Sequence, residues 1–410
     1  MDALTFVIVG GGQAGAWAAK TLRDEGFAGR IVLISEEHHL PYERPPLSKA
    51  VLAGVSPPET TRLFKDAVWN ALRLEWQPGR RAASLDRTAQ VLRLEDGTSL
   101  RYDKLLLATG GRARELVTDT PSSAPVQVLR TLDDAKALCR QLSECRRVLI
   151  AGAGWIGLEV AATARKLGVD VHVIESQDRI CARALPASVA DRLLALHRGH
   201  GVQFSLRTRI VRLEAGGPWP IHAHLDNGEE VDADCVVAGL GLLANDSLAQ
   251  EAGLECANGI VVDDRCATAD AHVFAAGDVT LTPNRWVGER TRLESWQNAQ
   301  DQGIAAAHSM LGRDLSYDPL PRFWSDQYDV NIQIAGAPQV AHRIVFRESS
   351  NSSSFIAFVL DDNCIRAAIG FNAGRDMRIA RGLVERAARV IPARLVDAGV
   401  DLKAVEAGTE

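Results

Sequence analysis

Apolar residues along the chain recur in short runs of β-branched and aliphatic side chains, separated by longer segments with helical periodicity. The runs at 5–9, 30–34, 147–151 and 169–174 are each predicted to be a buried strand. An alanine-rich helical segment follows the first and the third of these runs. Because strands alternate with helices, the pattern predicts an α/β protein built on parallel sheets.

A glycine-rich turn with the pattern GxGxxG follows the first strand of each pair. The turns span residues 10–15 and 152–157. Glycines there allow a tight turn and let a pyrophosphate approach the next helix, whose unpaired N–H groups favour an anion. One such pattern is weak evidence, but two copies in a strand–turn–helix–strand context predict two dinucleotide-binding sites. A protein that binds two dinucleotides usually passes electrons between them.

Acidic residues stand where the second strand of each pair ends. Glu36 and Glu37 follow the run at 30–34, and Glu175 follows the run at 169–174. A carboxylate at this position accepts hydrogen bonds from ribose hydroxyls and repels a 2′-phosphate. No basic residue occurs between Glu175 and Arg179, so the second site is expected to take NAD rather than NADP. The choice between Glu36 and Glu37 at the first site stays open.

A third motif indicates that the first nucleotide-binding domain closes late in the chain. The apolar run at 273–276 ends in Gly277 and Asp278, which can place a carboxylate on the ribityl hydroxyls of a flavin. The second unit is then inserted into the first domain. The predicted domains are an FAD-binding domain at 1–112 and 241–319, an inserted NAD-binding domain at 113–240, and a C-terminal α+β domain at 320–410.

Composition narrows the remaining function classes. The chain has 410 residues and a net charge of −6, which argues against nucleic acid as the main partner. No apolar run approaches the roughly 20 residues of a membrane span, and the first residues lack the basic region of a signal peptide. Seven scattered cysteines without a CxxC or Cys/His cluster indicate a reduced, cytoplasmic protein with no bound metal.

More specific runs occur at 41–49, 294–300 and 323–327. With these runs, with Ala108-Thr109-Gly110 and with the Gly277–Asp278 turn, the chain resembles the NADH-dependent ferredoxin reductases of oxygenase systems over its whole length. These flavoproteins share the two-dinucleotide-domain fold of glutathione reductase. The three runs are most similar to the reductases of aromatic-ring dioxygenases, especially the phenylpropionate/cinnamate type. The resemblance implies bound FAD, NADH as donor, and a monomer or weak homodimer.

The position of the cysteines indicates how electrons leave. Disulfide reductases of this fold carry a redox-active cysteine pair soon after the first nucleotide unit, whereas this chain has no cysteine before Cys139. Electrons are therefore expected to pass from the flavin edge to an outside acceptor, and the resemblance implies a Rieske-type [2Fe–2S] ferredoxin that feeds a dioxygenase. The alternatives are a rubredoxin, a P450-type ferredoxin, oxygen, or a regulatory role as an NADH sensor.

The resemblance also implies roles for individual residues. Lys49 is expected near flavin N5, paired with Glu159, and Trp324 is expected to cover the isoalloxazine ring. Arg44 is expected beside the FAD pyrophosphate, and Trp296 at the flavin pyrimidine edge. The full set of expected cofactor-binding residues is Gly10, Gly12, Ala14, Gly15, Glu36, Glu37, Arg44, Lys49, Ala108, Thr109, Gly110, Arg130, Gly152, Gly154, Ile156, Gly157, Glu159, Glu175, Gly241, Gly277, Asp278, Glu294, Ser295 and Trp296.

A basic segment near the C-terminus is a candidate docking surface for the ferredoxin. A helix is predicted around 376–389, with Arg378, Arg381 and Arg389 near one face. Six arginines in this region accompany only two acids, although the whole chain is acidic. An acidic ferredoxin would complement this charge, and a solvated helix surface is the alternative.

Overall fold

The computed structural model describes residues 4–217, 219–338, 343–349 and 354–407. Residues 1–3, considered above for a signal peptide, lie outside this part. The chain divides into two compact units. Unit 1 comprises Met1–Glu43, Glu59–Arg112 and Leu243–Pro321, and unit 2 comprises Arg44–Pro58, Ala113–Leu242 and Arg322–Glu410. Each unit is assembled from segments that are distant in sequence, and the expected division into three domains remains a prediction.

The strands of the described residues are numbered in chain order. They are β1 Thr5–Val9, β2 Arg30–Ile34, β3 Glu75–Gln77, β4 Ala82–Asp86, β5 Val91–Leu94, β6 Ser99–Arg101, β7 Lys104–Leu107, β8 Gly111–Ala113, β9 Val126–Val128, β10 Arg147–Ala151, β11 Asp170–Glu175, β12 Gln203–Leu206, β13 Ile210–Ala215, β14 Ile221–Leu225, β15 Glu230–Ala233, β16 Cys235–Ala238, β17 Leu242–Ala244, β18 Ile260–Val261, β19 Val273–Ala275, β20 Thr280–Asn284, β21 Glu289–Thr291, β22 Arg322–Gln327, β23 Val330–Gly336, β24 Arg343–Glu348, β25 Phe355–Asp361 and β26 Cys364–Phe371.

The α-helices are numbered in the same way. They are α1 Gln13–Asp24, α2 Asp66–Ala71, α3 Leu132–Glu144, α4 Trp155–Lys166, α5 Ala187–Gly199, α6 Ser247–Glu251, α7 Trp296–Met310, α8 Gly374–Glu385 and α9 Pro392–Val396. Short 3₁₀ turns span Pro45–Ser48, Pro58–Thr61 and Leu402–Ala404.

Unit 1 is built on a parallel sheet in the order β19-β7-β1-β2-β3. Its central strands β1, β2 and β7 are mostly buried and apolar because both faces of the sheet are covered. Val7 and Val9 belong to the core cluster that includes residues of β4, β5 and β6. Phe6 and Ile8, which alternate with them along β1, belong to the cluster that includes residues of α1 and α7. The two faces of β1 therefore pack into two different hydrophobic cores.

Unit 2 contains a second parallel sheet, in the order β12-β11-β10-β16-β9. A three-stranded antiparallel sheet, β13-β14-β15, shares a core with it. Leu149 of β10 and Val236 of β16 lie in that core with Ile221 and Ala223 of β14. Alternation along β14 buries these two residues and leaves His222 and His224 on the opposite face.

The last segment of unit 2 is an antiparallel sheet in the order β22-β23-β26-β25-β24, with α8 packed on β26 and β23. The helix is shorter than predicted, because it ends at Glu385 and Ala387 then takes a φ of 46°. Arg389 consequently lies beyond the helix, where it pairs with Asp362 at 2.8 Å. The expectation that Arg389 shares a helical face with Arg378 and Arg381 is wrong.

Both parallel sheets and the C-terminal α+β segment confirm the predicted fold class. In the described part of the chain, no helix is both long enough and apolar enough to cross a membrane.

Candidate functional site

The first glycine turn connects β1 to α1 and brings backbone groups very close together. A Cβ atom on Gly15 would lie 2.0 Å from the carbonyl oxygen of Gly10, so only glycine fits there. A Cβ on Gly10 would lie 2.1 Å from the carbonyl oxygen of Ala108. Gly12, in contrast, has nothing within 4 Å of a built Cβ. The outer glycines of the motif thus pack the turn, and the middle glycine borders open space.

The N-terminus of α1 fits an anionic ligand. No side chain among the described residues caps this helix, and Gly12 is its N-cap residue. The unpaired N–H groups of the first turn and the helix dipole favour negative charge. Both amide atoms of the Gln13 side chain are buried without a hydrogen-bond partner in the described chain. The turn that contains Gln13 and Ala14 therefore presents unsatisfied polar groups where a pyrophosphate is expected.

The two acids after β2 have different surroundings. Glu37 is half-buried, and its Oε2 accepts a hydrogen bond of 2.5 Å from the Tyr42 hydroxyl. Glu36 is exposed, and its carboxylate lies 4.0 Å from the Arg81 guanidinium. Tyr42 therefore orients Glu37, whereas Glu36 is held only by a weak surface ion pair.

The loop after β7 is held by an asparagine that the sequence did not indicate. Thr109 donates its hydroxyl hydrogen to the carbonyl of Asn245 at 2.7 Å, and the Asn245 amide donates to the carbonyl of Thr109 at 3.1 Å. The N–H of Asn245 also donates to the carbonyl of Gly110. Ala108 is buried and donates its N–H to the carbonyl of Val9 in β1.

The turn containing Gly277 and Asp278 is positioned from α7. The side-chain oxygen of Gln302 accepts from the Gly277 N–H and from the Thr280 hydroxyl, both at 2.8 Å. Gln302 is fully buried, so this support is shielded from water. Arg292 donates to the carbonyl of Asp278 at 3.1 Å.

The start of α7, which follows β20 and β21, contains three further candidates. Ser295 is the N-cap residue and accepts from the N–H of Asn298 at 3.2 Å. Trp296 is the first residue of the helix and is half-buried. Glu294 pairs with Arg292 at 2.6 Å, which orients the same guanidinium that reaches the carbonyl of Asp278.

The second glycine turn repeats the geometry of the first. A Cβ on Gly157 would lie 2.2 Å from the carbonyl oxygen of Gly152. Gly154 is the N-cap residue of α4, and no side chain among the described residues caps this helix. Ile156 is 43% exposed on the first turn of that helix. Trp155 packs against Phe323 of β22, with ring centroids 4.9 Å apart.

Glu175, at the end of β11, is already oriented by backbone groups. Its Oε2 accepts from the N–H of Ala153 at 2.7 Å, and its Oε1 accepts from the N–H of Gln177 at 2.8 Å. A carboxylate offers about four lone-pair sites, so each oxygen keeps capacity for a ribose hydroxyl. The acid is thus bonded directly to the glycine turn.

Lys49 and Glu159 meet in unit 2. The ammonium of Lys49 lies 2.8 Å from Glu159 Oε2 and donates to the carbonyl of Pro45 at 3.2 Å. Glu159 is only 4% exposed, yet the hydroxyls of Ser48 and Ser325 also donate to its carboxylate, the latter at 2.6 Å. Thr163 bonds the carbonyl of Ser48 and so fixes that segment on α4. One cation and two hydroxyls together compensate the burial of this charge.

A chain of hydrogen bonds extends from Glu159 towards α5. Gln327 donates to Ser325 Oγ at 3.0 Å, and its oxygen lies 2.7 Å from Nε2 of the fully buried His197. The hydroxyl of Tyr328 lies 3.0 Å from His197 Nδ1. Because the Gln327 oxygen can only accept, His197 carries its proton on Nε2, and every donor points towards Glu159. Burial lowers the pKa of His197 to about 4, so the ring is neutral near pH 7.

The remaining candidates lie elsewhere in unit 2. Arg44 donates to the carbonyl of Arg130, whose own N–H donates to the carboxylate of Asp134 at 3.0 Å. Gly241 has a φ of 95° and accepts from the N–H of Arg114 at 2.9 Å. Trp324 is half-buried in β22, opposite Gln333 of β23. The roles expected of these residues stay predictions.

Comparison with known families matches nearly the whole chain. A family model described as pyridine nucleotide-disulphide oxidoreductase matches residues 4–303, and one described as reductase C-terminal matches residues 322–406. The chain belongs to the pyridine nucleotide-disulphide oxidoreductase family. It is an oxidoreductase with FAD and NAD(H) as its cofactors.

Two similar proteins are ferredoxin–NAD(+) reductase components of dioxygenase systems, the type that the sequence resemblance predicted. The chain is 43% identical to the ferredoxin–NAD(+) reductase component of the anthranilate 1,2-dioxygenase system of Burkholderia cepacia, covering 98% of this chain and 99% of the relative. It is 40% identical to the reductase component of the 3-phenylpropionate/cinnamic acid dioxygenase of Photorhabdus laumondii, covering 94% and 98%. The family of dioxygenase-system ferredoxin reductases expected from the sequence is therefore confirmed.

Solved structures show the same fold. The ferredoxin reductase for the CYP199A2 system from Rhodopseudomonas palustris superimposes with a TM-score of 0.92 at 36% identity, covering 97% of this chain and 98% of that one. The covalent putidaredoxin reductase–putidaredoxin complex superimposes with a TM-score of 0.93 at 32% identity, covering 98% of both chains. Together with the dioxygenase relatives, these matches imply that the partner of this reductase is a ferredoxin.

Sequence reasoning missed the residues that support the candidate site. Asn245, Gln302, Ser48 and Ser325 bond the predicted loops and Glu159 from positions that are distant in the chain. Ser48 and Ser325 each lie inside a run that drew attention for a neighbour, Lys49 or Trp324. No local pattern marks Asn245 or Gln302, because their importance depends on tertiary contacts.

Proposed function

We propose that this reductase takes electrons from NADH through FAD and delivers them one at a time to a Rieske-type [2Fe–2S] ferredoxin that feeds an aromatic-ring-hydroxylating dioxygenase. The observation that supports it most is the 43% identity, over almost the full length, to a reductase component of a dioxygenase system. Bound FAD supplies conversion between a two-electron hydride donor and a one-electron acceptor. The chain's own residues would bind the two cofactors, orient them and shield them from water.

Unit 1 would hold the FAD. The uncapped N-terminus of α1 would bind the pyrophosphate, and Glu37, oriented by Tyr42, would accept from the ribose hydroxyls. Asp278, on a turn fixed by Gln302, would accept from the ribityl hydroxyls. Trp296 would offer its backbone N–H to the pyrimidine edge from the start of α7.

Unit 2 would hold the nicotinamide nucleotide. Gly154 and the N-terminus of α4 would bind its pyrophosphate, and Glu175 would bind the ribose and repel a 2′-phosphate. Glu159 and Lys49 form a charge pair whose carboxylate is buried and whose ammonium is partly exposed. Such a pair would steady the charge that develops during hydride transfer.

A one-electron acceptor outside the chain fits the cysteine chemistry. All seven cysteines are free thiols. Burial raises the pKa of Cys145 and of Cys256 to about 11 and raises the pKa of Cys181, Cys235 and Cys266 as well. These thiols stay protonated near pH 7 and are poor nucleophiles. A Rieske centre, at about −150 to +300 mV, is reduced more easily than a plant-type cluster at about −400 mV.

A second candidate acceptor is a P450-type ferredoxin. It is favoured by the similarity to the CYP199A2-system reductase and by the 37% identity to rhodocoxin reductase of Rhodococcus erythropolis. Both candidates require the same cofactors, so only the acceptor distinguishes them.

Steady-state kinetics with purified holoenzyme test the proposal. NADH should support at least tenfold higher kcat/KM than NADPH, and a Rieske-type ferredoxin should be reduced with higher kcat/KM than a P450-type ferredoxin. Ferricyanide serves as the control acceptor, because it needs no docking surface. Preference for the P450-type ferredoxin would favour the second candidate. A long-lived charge-transfer complex without turnover would indicate a regulatory flavoprotein.

We further propose that the protein is cytoplasmic and is a monomer or weak homodimer. Its seven free cysteines support a reducing compartment. Size-exclusion chromatography with light scattering, at several protein concentrations, would measure the oligomeric state. A concentration-independent dimer would contradict the second half of this proposal.

A further inference from the structure

The exposed face of the β13-β14-β15 sheet carries a group of histidines and carboxylates that the electron-transfer reaction does not use. His222 and His224 are two residues apart on β14, so both side chains leave the same face. The strand register places His222 opposite Glu214 and Asp232, and His224 opposite Arg212 and Glu230. Three adjacent strands thus contribute polar groups to one spot on unit 2.

Glu230 lies between the two imidazole rings. Its Oε2 is 3.3 Å from His222 Nε2, and its Oε1 is 3.1 Å from His224 Nδ1. One ligand atom from each of these three residues falls within 4.8 Å of the others. Ligand atoms bonded at about 2.0–2.1 Å around a tetrahedral zinc ion are roughly 3.3 Å apart. The two nitrogen–oxygen separations already match that spacing.

The second nitrogen of each ring faces another carboxylate. His222 Nδ1 lies 2.7 Å from Asp232 Oδ1, and His224 Nε2 lies 3.3 Å from Glu214 Oε2. Metal-binding histidines in proteins nearly always donate their other N–H to such a partner, which fixes the tautomer and ring orientation. The Arg212 guanidinium, which can only donate, lies 2.9 Å from His224 Nε2 and 3.4 Å from His224 Nδ1. Metal binding at Nδ1 therefore requires the tautomer in which Nε2 donates to Glu214, with Arg212 turned to the Glu214 carboxylate, 3.3 Å away.

We propose that His222, His224 and Glu230 bind one divalent transition-metal ion, with Zn²⁺ as the preferred ion. Two imidazoles and one carboxylate are a donor set that suits zinc and its neighbours and does not suit magnesium or calcium. The partial exposure of both rings leaves further coordination positions to water. Asp232 and Glu214 orient the rings from outside the coordination shell.

This site departs from the expectation of no bound metal. That expectation rested on the absence of a Cys/His cluster in the sequence. The ligands here come from two antiparallel strands, and only their register brings Glu230 between His222 and His224. A site of this kind would stabilise the hairpin of β14 and β15.

Isothermal titration of the holoenzyme with ZnCl₂, after dialysis against a chelator, tests the site. The wild type should bind one Zn²⁺ per chain with a micromolar or tighter Kd, and its Tm should rise with Zn²⁺ concentration. The double variant His222→Gln/His224→Gln and the single variant Glu230→Gln should weaken binding at least tenfold. His272→Gln, which removes an exposed histidine of unit 1, is the matched control and should bind as the wild type does.

Two results would overturn the proposal. One is a wild-type affinity for Zn²⁺ equal to that of the double variant, which would place the binding at other groups such as thiols. The other is a Tm that Zn²⁺ does not raise in the wild type. Each variant's Tm without metal shows whether it is folded, so a loss of binding through unfolding is recognised.

Discussion

The carboxylate of Glu175 is oriented before a nucleotide binds, since the N–H groups of Ala153 and Gln177 donate to its two oxygens. Such preorganisation lowers the entropic cost of binding a ribose. It also couples the acid to the glycine turn, so removing the carboxylate would affect the turn as well as the proposed ribose contact.

Replacing Glu175 with alanine should raise KM for NADH about 10–100-fold and change kcat much less. A hydrogen bond to a charged group contributes roughly 1.5–3 kcal/mol, and this one would be present in ground and transition states alike. Steady-state kinetics with ferricyanide measure both constants. Asp178→Ala, at an exposed neighbouring position, is the control and should leave KM unchanged. A fall in kcat equal to the loss in kcat/KM would contradict a ground-state role.

Replacing Asp278 with alanine should release FAD during purification. Several ribityl hydrogen bonds to a charged acceptor would be lost, each worth roughly 1.5–3 kcal/mol. The ratio of flavin to protein absorbance after dialysis measures occupancy. Asp314→Ala, on the exposed surface of the same unit, is the matched control. Full occupancy in the Asp278 variant would remove this residue from the flavin site.

Because His197 is buried in its neutral form, the protein should become less stable in mild acid. The folded-state pKa of about 4 lies below the ordinary 6.5, so the unfolded state takes up the proton first as the pH falls. The full stabilising contribution of this residue is present above pH 6.5. It is lost progressively as the pH falls towards 4, and about 2 kcal/mol has been lost at pH 5. Below pH 4 the loss from this residue is complete.

Urea unfolding of wild type and His197→Gln at pH 7.5 and pH 5 measures the effect. The variant should be less stable at pH 7.5, because it disturbs the contacts with Gln327 and Tyr328. It should nevertheless lose less stability than the wild type between the two pH values. Equal losses in both proteins would contradict a neutral, buried His197.

At the scale of elements, the glycines of each strand–turn–helix unit have different surroundings. In unit 1, Gly15 allows α1 to pack against the end of β1, whereas Gly12 borders open space at the helix N-terminus. The same division holds for Gly157 and Gly154 in unit 2. Packing and ligand binding can therefore be separated by substitution.

Alanine at Gly15 should disrupt folding, and alanine at Gly12 should disrupt only cofactor binding. The Gly15 methyl group would lie 2.0 Å from a backbone oxygen, and such overpacking costs about 1–3 kcal/mol or more. The Gly12 methyl group meets nothing in the protein but would occupy the space expected for the pyrophosphate. Circular dichroism and flavin occupancy distinguish the two effects. A Gly12→Ala variant that keeps full flavin would contradict a pyrophosphate at this turn.

The central strands β1, β2, β10 and β11 of the two parallel sheets could be predicted, and the supporting contacts could not. β1, β2 and β10 have the bounds expected from their apolar runs, because residues buried on both faces leave a strong local signal. The predicted end of α8 was wrong, since the positive φ of Ala387 reflects local packing and not a glycine or proline. The paired strands that unite His222, His224 and Glu230 left no spacing pattern that resembles a known metal motif.

At the scale of the whole molecule, the chain is acidic but carries a basic surface on α8. Arg378 is exposed on this helix, and Arg381 lies 3.7 Å from Glu385 on the same face. A weak ion pair of this kind leaves most of the positive field available to a partner. Charge complementarity mainly raises association rates and is screened within about 8 Å at physiological salt.

Reversing Arg378 and Arg381 to glutamate should slow ferredoxin reduction at low ionic strength. Ferricyanide reduction by NADH should be unchanged, because both glycine turns and their acids remain intact. Stopped-flow measurements at two salt concentrations give the rates, and the difference between variant and wild type should shrink at high salt. Arg366→Glu, on β26 and paired with Asp361, is the matched surface control. A double variant as fast as wild type at low salt would place docking elsewhere.

The sequence by itself determined the class of fold, the two cofactor types and the family, because strand-flanked glycine turns and terminal acids are local patterns imposed by the shape of a dinucleotide. Tertiary structure decided which groups support them. The buried Glu159 carboxylate has polar partners only because Ser48, Lys49 and Ser325 converge on it from segments distant in the chain. Such convergence depends on packing between elements, and spacing along the chain does not encode it in readable form.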